Sequence, residues 1–264
     1  MQINKELAEE RIKNIRYSYS GLSSFETCKL AWYLTYVEKN DREGNFFSDY
    51  GTFVHSILEK FFRNELDFWD LKDYYEQNFI ANIFHAPPPF PKNMCDTYYL
   101  DGLSFFEDFV FDKCKYEVIN IEEAVNAKYK DIEMIVKPDL VLKDKETGKY
   151  HLYDYKTKKL KGDYTDNAVI EGYKKQFFLY VYFIYQELDI EVDTINIWFI
   201  RNKRLVTIKV DPYEISQIVD WVDKVVEKIK KEEEWFPNLD KSNDYFCKFL
   251  CSVKEKCEFK NNLT

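Results

Sequence analysis

Between residues 17 and 39 the side chains Phe25, Cys28, Trp32 and Tyr36 recur three or four positions apart. The N-cap residue types Ser18, Ser20, Ser23 and Ser24 precede or enter the run, so the pattern predicts a short helix with its cysteine on the aromatic face. A second helix is predicted over about Phe47–Phe62, with Phe47, Tyr50, Val54, Ile57, Leu58, Phe61 and Phe62 on one broad face and His55 and Glu59 sharing another line. Helical stretches near 67–84 and 97–116 flank the proline run Ala86–Pro91, a stiff connector, and residues 64–116 read together as a helical insertion.

The period then shortens. Val118, Ile119 and Ile121, then Ile132, Met134 and Val136, then Leu140, Val141 and Leu142 predict strands. Asp144–Gly148 has turn composition, and Tyr150, Leu152, Asp154 and Lys156 alternate along a returning strand. A long helix over 168–187, a hairpin of 194–200 with 205–210 and a helix over 213–234 complete the regular part, with no internal repeat. Strands, hairpins and long helices mixed in this order predict an α/β or α+β fold, a sheet covered by helices.

Composition narrows the function classes. With 45% apolar and 18% aromatic residues in 264, the chain has the material for a sizeable core and is not a disordered tail. Its seven glycines lie at least seven positions apart, which excludes the glycine-rich loops of dinucleotide and P-loop sites. Three histidines and no G-x-S-x-G leave a serine hydrolase without support. The longest uncharged run, Gln77–Pro91, contains three consecutive prolines and is too short to span a bilayer. The charged start, Met1–Arg16, lacks a signal-peptide core, so a cytoplasmic chain is expected, with cysteines as thiols or metal ligands. A net charge of −9 argues against nonspecific coating of nucleic acid. Val141–Lys161 runs the other way, with seven lysines against three acids, and reads either as a solvated edge or as an approach for phosphates.

The strands at 136–156 carry the chemistry. If they pair around the 144–148 turn, Asp139 lies opposite Tyr153 or, one step along, Asp154, and Asp154 and Lys156 project from the same face. Adjacent carboxylates repel unless a cation sits between them, and oxygen donors suit Mg²⁺ or Mn²⁺. The alternative is a hairpin with ordinary surface ion pairs.

These residues carry a resemblance. Pro138-Asp139, followed after fourteen residues by Asp154-Tyr155-Lys156, resembles the PD-(D/E)xK nuclease motif. Gly51-Thr52-Phe53-Val54-His55 resembles the histidine-bearing helix of the RecB-like branch, and Gln176-Phe177-Phe178-Leu179-Tyr180 its Q-x-x-x-Y helix. The resemblance implies His55, Asp139, Asp154 and the Tyr155 carbonyl as metal ligands, Lys156 as catalytic together with both carboxylates, and Gln176 and Tyr180 as supports of the site or of the DNA backbone. It also points to Glu123 as the acid that many relatives carry in this strand region.

Cys247-x3-Cys251-x5-Cys257, with Cys28 far upstream, is similar to the iron–sulfur staple of RecB-like nucleases, including AddB-type and CRISPR-associated exonucleases. That resemblance implies a [4Fe-4S] cluster. Zinc, or reduced unligated thiols, remain alternatives, and Cys95 and Cys114 read as packing residues.

Together the resemblances imply one nuclease domain over 1–264. They imply a restriction-endonuclease-like central mixed sheet flanked by helices, the 64–116 insertion, and an iron–sulfur subdomain from 17–39 plus 236–264. The implied activity is a metal-dependent DNA exonuclease preferring single-stranded or frayed ends, in repair, recombination, CRISPR adaptation or phage DNA processing, with a helicase or integrase as partner protein and no membrane. The alternative is a non-catalytic DNA-end-binding or adaptor protein.

Overall fold

The computed structural model describes residues 4–160, 168–238 and 244–260; Lys161 of the lysine-rich stretch and parts of the 236–264 segment lie outside them. The chain divides into two compact units, one drawn from residues up to Asn45, Asn126–Ile135 and Ser216 onward, the other from Phe46–Val125 and Val136–Ile215. In chain order the elements begin α1 (Lys5–Lys13), β1 (Arg16–Tyr17), α2 (Tyr19–Thr27), α3 (Lys29–Trp32), α4 (Phe46–Phe62), α5 (Leu71–Asn82) and α6 (Met94–Asp108). They continue with β2 (Tyr116–Ile121), β3 (Val125–Tyr129), β4 (Ile132–Val136), β5 (Leu140–Asp144), β6 (Tyr150–Lys156), α7 (Ala168–Leu188), β7 (Val192–Phe199), β8 (Arg204–Lys209) and α8 (Pro212–Lys231). No helix among the described residues is long and apolar enough to cross a membrane.

In the first unit Ser18 caps α2 by accepting the Gly21 N–H at 3.1 Å. The single helix expected over 17–39 is broken at Cys28, whose backbone is extended (φ −158°, ψ 109°) and whose sulfur accepts the Ala31 N–H at 3.4 Å to open α3. The cause is local: Ser24 and Thr27 donate back to the carbonyls of Gly21 and Ser23, which weakens continuation of the helix. A π-helical turn, Tyr33–Val37, follows α3. Trp32 and Trp235 stack with centroids 5.4 Å apart, and Phe25 packs edge-on against both. A small sheet, ordered β1-β4-β3, pairs β1 parallel to β4.

The second unit is built on a five-stranded mixed sheet of order β2-β5-β6-β7-β8. β2, β5 and β6 run antiparallel in turn, β6 and β7 are parallel, and β8 returns antiparallel to β7. The parallel pair needs a crossover, which α7 supplies. α4 buries Tyr50, Phe53, Val54, Ile57, Leu58, Phe61 and Phe62, and each large apolar side chain so buried contributes about 2 kcal/mol of transfer free energy. The C-terminal end of α4 is held by Lys113, which donates to the Phe61 carbonyl at 2.7 Å, and by Arg63, which donates to the Ile121 carbonyl at 2.9 Å. The helix expected over 97–116 is shorter, because the chain turns extended at Phe109 to enter β2.

Candidate active site

The β5–β6 register pairs Leu140 with Tyr153. One step along, Asp139 stands level with Asp154, the closer of the two alignments the sequence allowed. Asp139 is fixed from the neighbouring strand, its Oδ2 accepting the Tyr155 N–H at 2.7 Å. Asp154 is 1% exposed, and its Oδ2 meets the Lys156 ammonium at 2.6 Å while accepting no well-aligned hydrogen bond among the described residues.

α4 brings His55 to the same place. Its Nδ1 lies 3.2 Å from Glu122 Oε1 and 3.5 Å from Asp139 Oδ2, and its Nε2 lies 3.0 Å from the Tyr155 carbonyl oxygen. Because both ring nitrogens face acceptors, the imidazolium form, with two N–H donors, satisfies them in the metal-free protein. Burial pulls the His55 pKa down, but Asp139, Glu122 and Asp154 outweigh it and push it up to about 9. Asp139 is raised by burial and by the charge of Asp154. Burial would also raise Glu122, yet hydrogen bonds from His55 and Lys137, the latter at 2.7 Å, hold it below its ordinary value.

Ligand atoms of His55, Glu122 and Asp139 lie within 4.8 Å of one another, the sole such group of three or more among the described residues. One imidazole and two carboxylates, beside the Tyr155 carbonyl, fit a hard divalent cation. Asp154 falls outside this tight group and faces Lys156.

Lys156 is the hub of a second chain of contacts. Its ammonium donates to Gln176 Oε1 at 3.1 Å, and Gln176 Nε2 donates to the Tyr180 hydroxyl at 2.9 Å. The rings of Tyr173 and Phe177 lie 4.8 and 5.2 Å from the ammonium. Burial would lower the Lys156 pKa, but Asp154 and Asp139 prevail and raise it, so the group stays a cation. Gln176 and Tyr180, one turn apart on α7, thus brace Lys156 from within the fold, and Tyr180 is buried.

Sequence reasoning missed Glu122 and pointed to its neighbour. Glu123 is exposed, and its backbone is engaged by Asn120, whereas Glu122 sits at a left-handed φ of 52°. A bulge between Val118 and Asn120 shifts the alternation of β2, and the left-handed Glu122 just past the strand end is the acid that meets His55, so resemblance alone named the wrong neighbour. The lysine-rich stretch is also less free than its count suggests. Lys149 pairs with Asp193, Lys159 with Asp101 and Lys156 with Asp154, while Lys145 donates to the Cys114 carbonyl.

In the first unit Cys28, Cys247, Cys251 and Cys257 line one pocket, and Cys28 packs with Leu30, Leu34 and Val253. Burial, then neighbouring thiols, raise Cys247, and burial pushes Cys251 up to about 11. No three of these sulfurs come within 4.8 Å of one another.

A family model described as the PD-(D/E)XK nuclease superfamily matches residues 16–258. A crystal structure from Eubacterium rectale, provisionally named an exonuclease, is similar over 97% of this chain and 93% of its own, at 14% identity and a TM-score of 0.52, a likeness of fold. No curated protein matches the sequence.

Proposed function

Because the chain belongs to the PD-(D/E)XK nuclease superfamily, we propose that it is a divalent-metal-dependent DNA exonuclease of the RecB-like branch. The observation that carries this reading is the convergence of His55, Glu122, Asp139 and the Tyr155 carbonyl on one point, with Asp154 and a braced Lys156 beside it.

Mg²⁺ or Mn²⁺ would be held by His55, Glu122, Asp139, Asp154 and the Tyr155 carbonyl, and supplies Lewis-acid polarisation of the scissile phosphate and a lowered pKa for bound water. Asp139 is kept in place by the Tyr155 N–H. Lys156 remains protonated and so acts as a donor that orients water and offsets charge growing on phosphate oxygens, not as a base. Gln176 is its positioning residue, and Tyr180 fixes Gln176. Preference for single-stranded or frayed ends and a helicase or integrase partner are what the resemblance to RecB-like exonucleases implies for this chain.

We read 1–264 as one nuclease domain with 64–116 as insertion, and assign Cys28, Cys247, Cys251 and Cys257, from 17–39 and 236–264, to a [4Fe-4S] cluster. The four thiols line one pocket, and four cysteine thiolates are the donor set that such a cluster takes.

The test is time-resolved cleavage of end-labelled single- and double-stranded DNA with Mg²⁺, Mn²⁺ or EDTA. Short products that need metal are expected, with cleavage reduced at least about 100-fold in Lys156→Ala and DNA binding retained. For Gln176→Ala a loss of about tenfold is expected, in kcat more than in KM. Folded, metal-loaded wild type that cleaves nothing would favour the end-binding adaptor.

A further inference from the structure

The first unit contains a cavity of about 300 Å³, at the small end of ligand-site sizes, between the end of α1, β1 and the π-helical turn after α3. Arg11, Arg16 and Lys39 line it against a single carboxylate, Glu10, with Thr35 and Tyr36 on the wall. Three cations meeting one acid stand out in a chain whose net charge is −9.

Two of the cations are held in ways that leave donors unused. The Nε–H of Arg11 is shut off from solvent and has no acceptor among the described residues. An N–H closed to solvent is closed to a ligand in the cavity too, so the part of Arg11 that serves a ligand there is the terminal N–H groups of its guanidinium. Lys39 is exposed, follows the π-helical turn in a left-handed conformation (φ 57°), and makes no ion pair among the described residues. Arg16 is steadied from its other side by Asn126 Oδ1 at 3.1 Å and Glu133 at 3.6 Å, which fixes its direction and offsets part of its charge. Arg42 lies over the Tyr36 ring at 5.1 Å and adds positive potential at that wall.

We propose that this cavity is a phosphate-binding site, with Arg11 and Arg16 as guanidinium donors and Lys39 as the closing ammonium. Two guanidinium forks and an ammonium offer more donors than a carboxylate can accept, and match the several oxygens and higher charge of a phosphate group. That chemistry is supplied by a nucleic-acid strand or by a free phosphate compound. The inference rests on the charges of the cavity itself and does not require the nuclease reading.

The test uses the full chain in EDTA, so that cleavage plays no part. Orthophosphate is titrated by calorimetry, and single-stranded oligonucleotides by fluorescence anisotropy over a range of salt, into wild type, Arg11→Gln and the surface variant Lys39→Gln, with circular dichroism melts as the fold control. If a strand is the source, Arg11→Gln weakens oligonucleotide binding at least about tenfold. Lys39→Gln then flattens the salt dependence by about one phosphate contact. If the source is a free phosphate compound, orthophosphate binds wild type and is lost in both variants while oligonucleotide affinity holds. Either result supports the site. Equal binding of both probes by all three proteins, or no binding of either to wild type, overturns it.

Discussion

At the scale of single residues, His55 is held in its charged form by the acids that would share a metal with it. Its folded pKa of about 9 lies above the ordinary 6.5. Between those values the folded chain keeps a proton that the unfolded chain has released, so stability falls as pH rises through the window. Bound metal requires a ligating nitrogen without its proton and removes that dependence. Melting temperature in EDTA should therefore drop from pH 6.5 to 9 more steeply in wild type than in His55→Gln, and the difference should vanish with saturating Mn²⁺; parallel slopes in EDTA would refute the assignment. Glu122 supplies a companion prediction, a Mn²⁺ affinity lower by about 10–100-fold in Glu122→Gln with Glu123→Gln unchanged, read by calorimetry. The pair also marks where sequence stopped being legible at this scale. Asp139, Asp154, Lys156, Gln176 and His55 could be named from spacing and resemblance, because a strand pair and two helix turns fix their directions. Glu122 could not, because a bulge in β2 and one left-handed residue decide which of two adjacent acids turns inward.

At the scale of elements, periodicity located α4, α7, α8 and the strands β4 to β7 closely, since each carries buried apolar side chains, while β8, with no residue fully buried, was found as the return of a hairpin. It failed where side chains compete with the backbone, as at Cys28, where one expected helix became two helical pieces. It also gave no account of Gly102, in the middle of α6. A Cβ there would collide with the Tyr75 hydroxyl and lie 2.7 Å from the Tyr50 hydroxyl, so the glycine lets α6 pack closely on α5 and α4. Tyr75 in turn donates to the carbonyls of Tyr98 and Tyr99 on α6, at 3.3 and 3.1 Å. Gly102→Ala should destabilise the protein by about 1–3 kcal/mol, measured by urea unfolding. Adding Tyr75→Phe should leave most of the loss in place, because the ring carbon Cζ at 2.6 Å and the Tyr50 hydroxyl at 2.7 Å still meet the new Cβ. A Gly102→Ala protein as stable as wild type would show that α6 can shift away without cost.

At the scale of the whole molecule, the mixed α/β class followed from the alternation of strand and helix periods, whereas the division into two units did not. Each unit is assembled from segments far apart in sequence, and no local signal marks the returns at Asn126 and Ser216. The same long-range closure bears on the cysteines. Cys28 lies 219 positions before Cys247, and a group ligated by both forbids the open conformations of the unfolded chain between them. By the loop-entropy relation for a covalent cross-link, a closure of that length contributes up to about 5 kcal/mol. With the proposed [4Fe-4S] cluster as that group, anaerobically purified protein should be brown, contain iron and sulfide, and melt well above the same protein after oxidative loss of the cluster or with Cys247→Ser. Zinc in stoichiometric amount from a colourless protein would reverse the choice of metal while keeping the closure argument. Metal-free protein with an unchanged melting temperature in Cys247→Ser would remove both, leaving four thiols that share a pocket without a ligand to join them.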